Sequence, residues 1–146
     1  MTGPSGAGCH TVARAVVDEL IRRGRPAVLI DRAGVESYLS RSDPEGAVRW
    51  LAGLLTTGDV MAVIATPAPT RAIRDRARAE ISPFAEIFVD PSAPATSPAP
   101  GHDDHTYEEP YGAELRVPTH DRDAPAAAAL VVSWLEAHGG IAAESP

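Results

Sequence analysis

Three glycines, Gly3, Gly6 and Gly8, open the chain and run straight into a helical pattern, and no other feature restricts the fold as much. Glycine tolerates left-handed backbone and close approach of a second main chain or a ligand, so this junction reads as a tight loop feeding a helix. From residue 12 the apolar positions Val12, Ala13, Val16, Val17, Leu20 and Ile21 recur at helical spacing, and Gly24 stands where a helix would stop. Short apolar runs then alternate with helical segments. Residues 27–30, ended by Asp31, read as a buried strand, and 35–39 as a short helix. Asp43-Pro44-Glu45 opens a helix that passes Trp50 and Leu55 and stops at Gly58. Residues 60–65 are continuously apolar, the type of strand that a parallel sheet covers on both faces. A basic helix is predicted over 70–81, a strand over 84–89 ending in Asp90, a fourth strand over 114–117 and an Ala-rich helix over 125–138. The alternation predicts an α/β protein with a mostly parallel sheet and helices on both faces.

Composition narrows the function. The 146 residues carry 20 acidic and 13 basic side chains, a net charge of -7, which argues against nucleic acid or an anionic membrane as partner. No apolar run approaches the roughly 18 residues of a spanning helix, and no signal peptide is visible at the start. Cys9 is the single cysteine, which excludes an internal disulfide and fits a reducing, cytoplasmic setting. All the basic residues are arginine, so chemistry that needs a lysine ammonium, at a carbonyl or at a phosphate, is excluded. Residues 91–101, rich in Pro, Ala and Ser, cannot build core and read as a linker or loop.

Gly3 and Gly8 have the spacing of the phosphate-cradling loop G-x-x-x-x-G-K-[ST]. Cys9 replaces its lysine and His10 its magnesium-holding hydroxyl, while Thr11 comes one place late. Gly3, Ser5, Gly6, Gly8, Cys9, His10 and Thr11 are therefore the candidate nucleotide- or phosphate-binding positions, with the backbone half of the motif kept and the side-chain half lost. ATP and Mg²⁺ are expected to bind weakly if at all, and no cofactor is assigned. A phosphate loop normally follows a buried strand, and here only Met1 and Thr2 precede Gly3. That leaves an upstream start, or a sheet slot filled by something else. Cys9 beside His10 at a helix start is a candidate nucleophile, set against a small residue filling a vacated lysine site. The His102-Asp103-Asp104-His105 run holds ligand types but cannot readily converge on one ion, so no metal site is assigned. Arg71, Arg74, Arg76 and Arg78 could hold an anion, although such a run is more often an exposed face paired with Asp75 and Glu80. His120 to Asp123 reads as an exposed turn, Trp50 and Trp134 as core or interface, and Leu130, Val131, Trp134 and Leu135 as the apolar side of the last helix.

Several stretches, taken in order over residues 1–138, resemble the adenylylsulfate kinase family. The loop of residues 3–11 resembles its phosphate loop. Val28-Leu29-Ile30-Asp31 sits where that family has a strand ending in D-G-D-N-x-R, and residues 60–71 resemble its strand and I-S-P-Y-R segment. Residues 84–90 are close to its F-x-E-I-F-V-D, and Tyr107-Glu108-Glu109-Pro110 with Glu114-Leu115 to its late Y-E-x-P…E-L. The resemblance implies a P-loop fold that transfers the ATP γ-phosphoryl group to the ribose 3′-hydroxyl of adenosine 5′-phosphosulfate. It also makes Asp31 a candidate catalytic residue, with Cys9 and His10, and Arg71 a candidate substrate-binding residue.

The departures set the expected function. Of D-G-D-N-x-R only Asp31 remains; Ala33 stands for the presumed base and Glu36 for the arginine. The N-I-R-R arginines are absent from 43–46, the F-T-G segment is missing ahead of His105, and 91–105 replaces the lid. The expectation is a single degenerate domain over 1–140 with a frayed tail at 141–146. It would be a pseudokinase with at most weak nucleotide or anion binding and an accessory role in sulfur or nucleotide metabolism. The alternatives are a working transferase of altered mechanism and a Cys9-dependent enzyme. A missing first strand and lid would expose apolar edges, so a homodimer or a protein partner is expected.

Overall fold

The computed structural model describes residues 1–31, 34–35, 43–65, 68–92 and 107–139. In chain order they form α1 (Cys9–Arg22), β1 (Ala27–Asp31), α2 (Pro44–Thr57), β2 (Met61–Ala65), α3 (Arg71–Glu80), β3 (Ile87–Asp90), β4 (Leu115–Pro118) and α4 (Ala124–Ala137). β1 pairs with β2 and β3 with β4, both parallel, as the apolar runs predicted. The stub Met1–Thr2 links the two pairs. Thr2 bridges Phe88 in parallel, and the Met1 nitrogen donates to the Ile64 carbonyl at 2.7 Å.

Side chains along the strands alternate between two cores. Val63, Ile87, Val89 and Val117 join Val12, Val16 and Leu20 of α1 and Ala128, Val131 and Val132 of α4. Ile30, Ala62 and Ile64 face the opposite way, towards Val48 and Ala52 of α2 and Ala77 of α3. The period of two along each strand thus assigns α1 and α4 to one face and α2 and α3 to the other. Leu20, Val16, Val89, Val117 and Val132 are the largest fully buried side chains, each stabilising the fold by about 1.5–3 kcal/mol.

Helix ends follow the sequence signals. Asp43, Thr70 and Asp123 cap α2, α3 and α4 by accepting from the backbone N–H of Gly46, Ile73 and Ala126. Gly24, with φ of 71°, takes the left-handed turn after α1. Residues 34–35 are helical, and the rest of the expected short helix at 35–39 lies outside the described residues. So do residues 93–105 of the segment expected to replace the lid, His102 to His105 among them, and the tail at 141–146.

Two expectations need correction. β3 starts at Ile87 rather than at 84, because the Glu86 N–H donates to the Glu114 carboxylate at 2.6 Å instead of to a strand. Leu130 is exposed; Val131 and Leu135 are buried as expected, and Ala127, Ala128 and Val132 complete the buried face of α4. Of the two readings of Trp50, core or interface, its 64% exposure on α2 removes the core and leaves the interface.

Candidate functional site

The loop takes the shape that its glycines permit. Gly6 and Gly8 have φ near +80°, and Gly8 caps α1 with no side-chain hydrogen bond. The first-turn N–H groups of α1 are thereby left for an anion or water, with the positive end of the helix dipole behind them. Gly3 passes so close to β3 that a Cβ there would lie 2.5 Å from the Val89 carbonyl oxygen and 2.9 Å from Cys9 Sγ. The Ala7 N–H closes the loop onto the Pro4 carbonyl at 3.1 Å. Thr119, after β4, fastens it from outside, its hydroxyl lying 3.2 Å from the Asp90 carbonyl and 3.4 Å from that of Ala7.

The side chains at the helix start do something other than hold phosphate. Burial pushes the Cys9 thiol above its ordinary pKa, opposite to the direction an activated nucleophile needs. His10 turns away to Asp31 at the end of β1, Nε2 to Oδ2 at 3.0 Å. The other Asp31 oxygen accepts from the Gly34 N–H at 2.7 Å. That amide first, and His10 second, hold the Asp31 carboxyl below its ordinary value. Asp31 and His10, two of the candidate catalytic residues, are thus brought together as a mutual pair.

Arginines approach from α3 and β4, and each described one is engaged. The sequence suggested an exposed basic face on α3, but Arg74 is buried. It donates to the carbonyls of Ala68 (2.6 Å) and Glu108 and lies 2.6 Å from a Glu86 oxygen as a buried ion pair. Arg78 holds Glu114, and Arg76 holds Glu80 as the sequence suggested. Arg71 donates through Nε to the Glu109 carbonyl at 2.7 Å, with its guanidinium 3.7 Å over the Tyr111 ring. Arg116 pairs with Asp90 and Glu109. Tyr107 stacks on Phe88, and its hydroxyl meets Thr2 Oγ1 at 2.9 Å, so the 107–111 segment connects the arginines to the loop entrance. Sequence reasoning missed Thr119 and Arg116, which lie just past a strand end and within a strand and belong to no local motif. Among the described residues, no three metal-ligating side chains converge, and no helix is long and apolar enough to cross a membrane.

A parallel α/β sheet layered by helices, with a glycine loop capping the first helix, defines the P-loop class. The chain belongs to the adenylylsulphate kinase family, whose sequence model matches residues 1–100. An adenylyl-sulfate kinase of Synechococcus sp. (strain JA-3-3Ab) is 35% identical over 98 residues, 61% of this chain and 56% of that protein. The chain thus spans about half the length of that curated relative and of those most like it. One from Halothermothrix orenii is 30% identical over 167 aligned residues, covering 96% of this chain and 89% of its own. Among solved structures, a Mycobacterium tuberculosis APS kinase in complex with AMPPNP and APS shares the fold. Its TM-score is 0.72 at 22% identity, over 92% of this chain and 94% of that one. A hexameric APS kinase from Thiobacillus denitrificans matches at 31% identity and TM-score 0.72, over 94% of this chain and 28% of that one.

Proposed function

We propose that this chain is a degenerate adenylylsulfate-kinase relative that binds a nucleotide or another phosphate-bearing small molecule through its loop amides and transfers no phosphoryl group. The single observation that carries this reading is the α1 start, where Cys9 and His10 occupy the cation and hydroxyl positions. There a partly buried thiol and an Asp31-bound imidazole replace the groups that neutralise phosphate charge and hold magnesium. The candidate ligand set is Gly3, Ser5, Gly6, Gly8, Cys9, His10 and Thr11, acting through main-chain N–H groups. Arg71 is a weaker substrate candidate, since it is held by Glu109 and Tyr111. The domain is proposed to run over 1–140 and to act in the cytoplasm, as a homodimer or with a protein partner, as an accessory to sulfur or nucleotide metabolism. Exposed Trp50 and Leu54 on α2 support an interface there.

Family membership favours one second reading, an ATP-dependent kinase of adenosine 5′-phosphosulfate with altered charge supply. Calorimetric titration of ATP, ADP and adenosine 5′-phosphosulfate separates the two. The first reading predicts binding that is weak and indifferent to Mg²⁺. Micromolar, Mg²⁺-dependent ATP binding would establish the second.

A further inference from the structure

Between α3 and residues 110–114 lies a polar pocket of about 200 Å³. Three guanidinium groups (Arg71, Arg74, Arg78) and three carboxylates (Asp75, Glu86, Glu114) line it, and no residue of the glycine loop does. Pockets that take drug-sized ligands run to roughly 300–1,000 Å³, so an occupant of this one is small.

Four of the six charges are matched within the wall. Arg78 holds both oxygens of Glu114, and Arg74 lies 2.6 Å from a Glu86 oxygen. The other two, Arg71 and Asp75, stand one turn apart on α3, where opposite charges can pair, yet they form no ion pair. Arg71 is held elsewhere. Its Nε donates to the Glu109 carbonyl at 2.7 Å, and its flat face lies 3.7 Å over the exposed Tyr111 ring. The backbone fastens this arrangement: the Arg71 N–H donates to the Glu108 carboxylate at 2.8 Å and the Glu108 N–H to Pro69 O at 2.7 Å. The two terminal nitrogens of Arg71 and both oxygens of Asp75 therefore have no hydrogen-bond or ion-pair partner among the described residues.

A small cavity thus carries one fixed donor fork and one unmatched carboxylate. The fork fits a carboxylate or another oxyanion, and Asp75 fits an ammonium group. An inorganic dianion such as sulfate would satisfy the fork but would meet three carboxylates in the same wall, and like charges brought together are costly. A simple amine would satisfy Asp75 and leave the fork unused. A small molecule with both charges on neighbouring atoms answers both groups.

We propose that this pocket is a second binding site, apart from the glycine loop, for a small zwitterion of the α-amino acid type. Its carboxylate takes the two terminal nitrogens of Arg71, and its ammonium group takes the Asp75 carboxylate. Arg71 is anchored before the ligand arrives, so binding costs little side-chain ordering. Nothing in this site depends on phosphate chemistry at the loop, and it stands or falls separately from nucleotide binding there.

The test is calorimetric titration of the full chain with L-alanine and L-serine, beside acetate, ethylamine, L-alaninamide and sulfate. The two amino acids should bind with a Kd of about 1 mM or below, and the four single-charge-type probes about tenfold or more weaker. Asp75→Asn should weaken L-alanine binding by about tenfold or more and leave the urea unfolding midpoint in place, since Asp75 has no intramolecular partner to lose. Arg71→Lys, which keeps the charge and discards the fork, should weaken it as well. Absence of binding by both amino acids at about 10 mM overturns the proposal. So does acetate or sulfate binding as tightly as L-alanine, and so does unchanged affinity for L-alanine in Asp75→Asn.

Discussion

Replacing Gly3 with alanine tests the loop geometry with one methyl group. That methyl would stand 2.5 Å from Val89 O, 2.9 Å from Cys9 Sγ and 3.1 Å from Ala7 Cβ. Carbon–oxygen contacts settle near 3.3 Å, so the loop and β3 must part by roughly 0.8 Å. The two hydrogen bonds that tie Thr2 to β3, at 2.8 Å each, lie in that path. Overpacking of this kind costs about 1–3 kcal/mol, and weakening the two bonds adds about 1 kcal/mol. The expected loss is about 2–4 kcal/mol, roughly 6–16 °C in Tm for a chain of this size. Urea unfolding followed by circular dichroism measures it. Gly53→Ala is the control: a Cβ there meets nothing within 4 Å, and alanine in the middle of α2 should stabilise by about 0.5–1 kcal/mol. A Gly3→Ala protein within about 0.5 kcal/mol of the parent would refute the close approach of loop and strand.

Truncating Arg74 to alanine removes a buried guanidinium from two carbonyls and leaves Glu86 without its ion partner; about 3–5 kcal/mol should be lost by urea titration, against little for exposed Arg76. The Asp31 carboxyl is depressed in the folded state, so its stabilisation is complete above about pH 4 and fades as pH falls through its folded value. Asp31→Asn should therefore flatten the acid limb of a stability–pH curve, and an unchanged limb would contradict the pairing with Gly34 and His10. Cys9 alkylation by iodoacetamide should be slow at pH 7 and accelerate only in alkaline buffer, because burial raises the thiol; fast labelling below pH 8 would restore it as a nucleophile. The double replacement Cys9→Lys with His10→Ser should tighten ATP binding about tenfold or more by returning a charge-assisted phosphate contact, and unchanged affinity would show that the loop itself is misshapen.

Much of this fold was legible because its signals are local. Asp43-Pro44, the Gly24 and Gly58 stops and the apolar run at 60–65 each specify structure within one turn or one strand. The loop was legible for the same reason, since Gly3 and Gly8 constrain backbone wherever the rest of the chain goes. What the sequence hid depends on partners far along the chain. Arg74 looked like one more solvated arginine, because its carbonyl partner at Glu108 is 34 residues away. Phe84 to Glu86 carry strand-like residues, yet the Glu114 carboxylate takes the Glu86 amide that a ladder would have used. Helical periodicity put Leu130 on the apolar side of α4, but α1 packs against a face centred one position away, on Val131 and Val132. His10 and Asp31 are separated by 21 residues, and only the closure of α1 onto β1 reveals them as a pair.

Incubating the purified protein with Mg-ATP and adenosine 5′-phosphosulfate, and separating the nucleotides by chromatography, puts the central claim to its most direct test. With a thiol and an Asp31-bound imidazole at the start of α1, no 3′-phosphorylated product should accumulate above the enzyme-free rate. Product forming at about 1–100 turnovers per second would contradict the account.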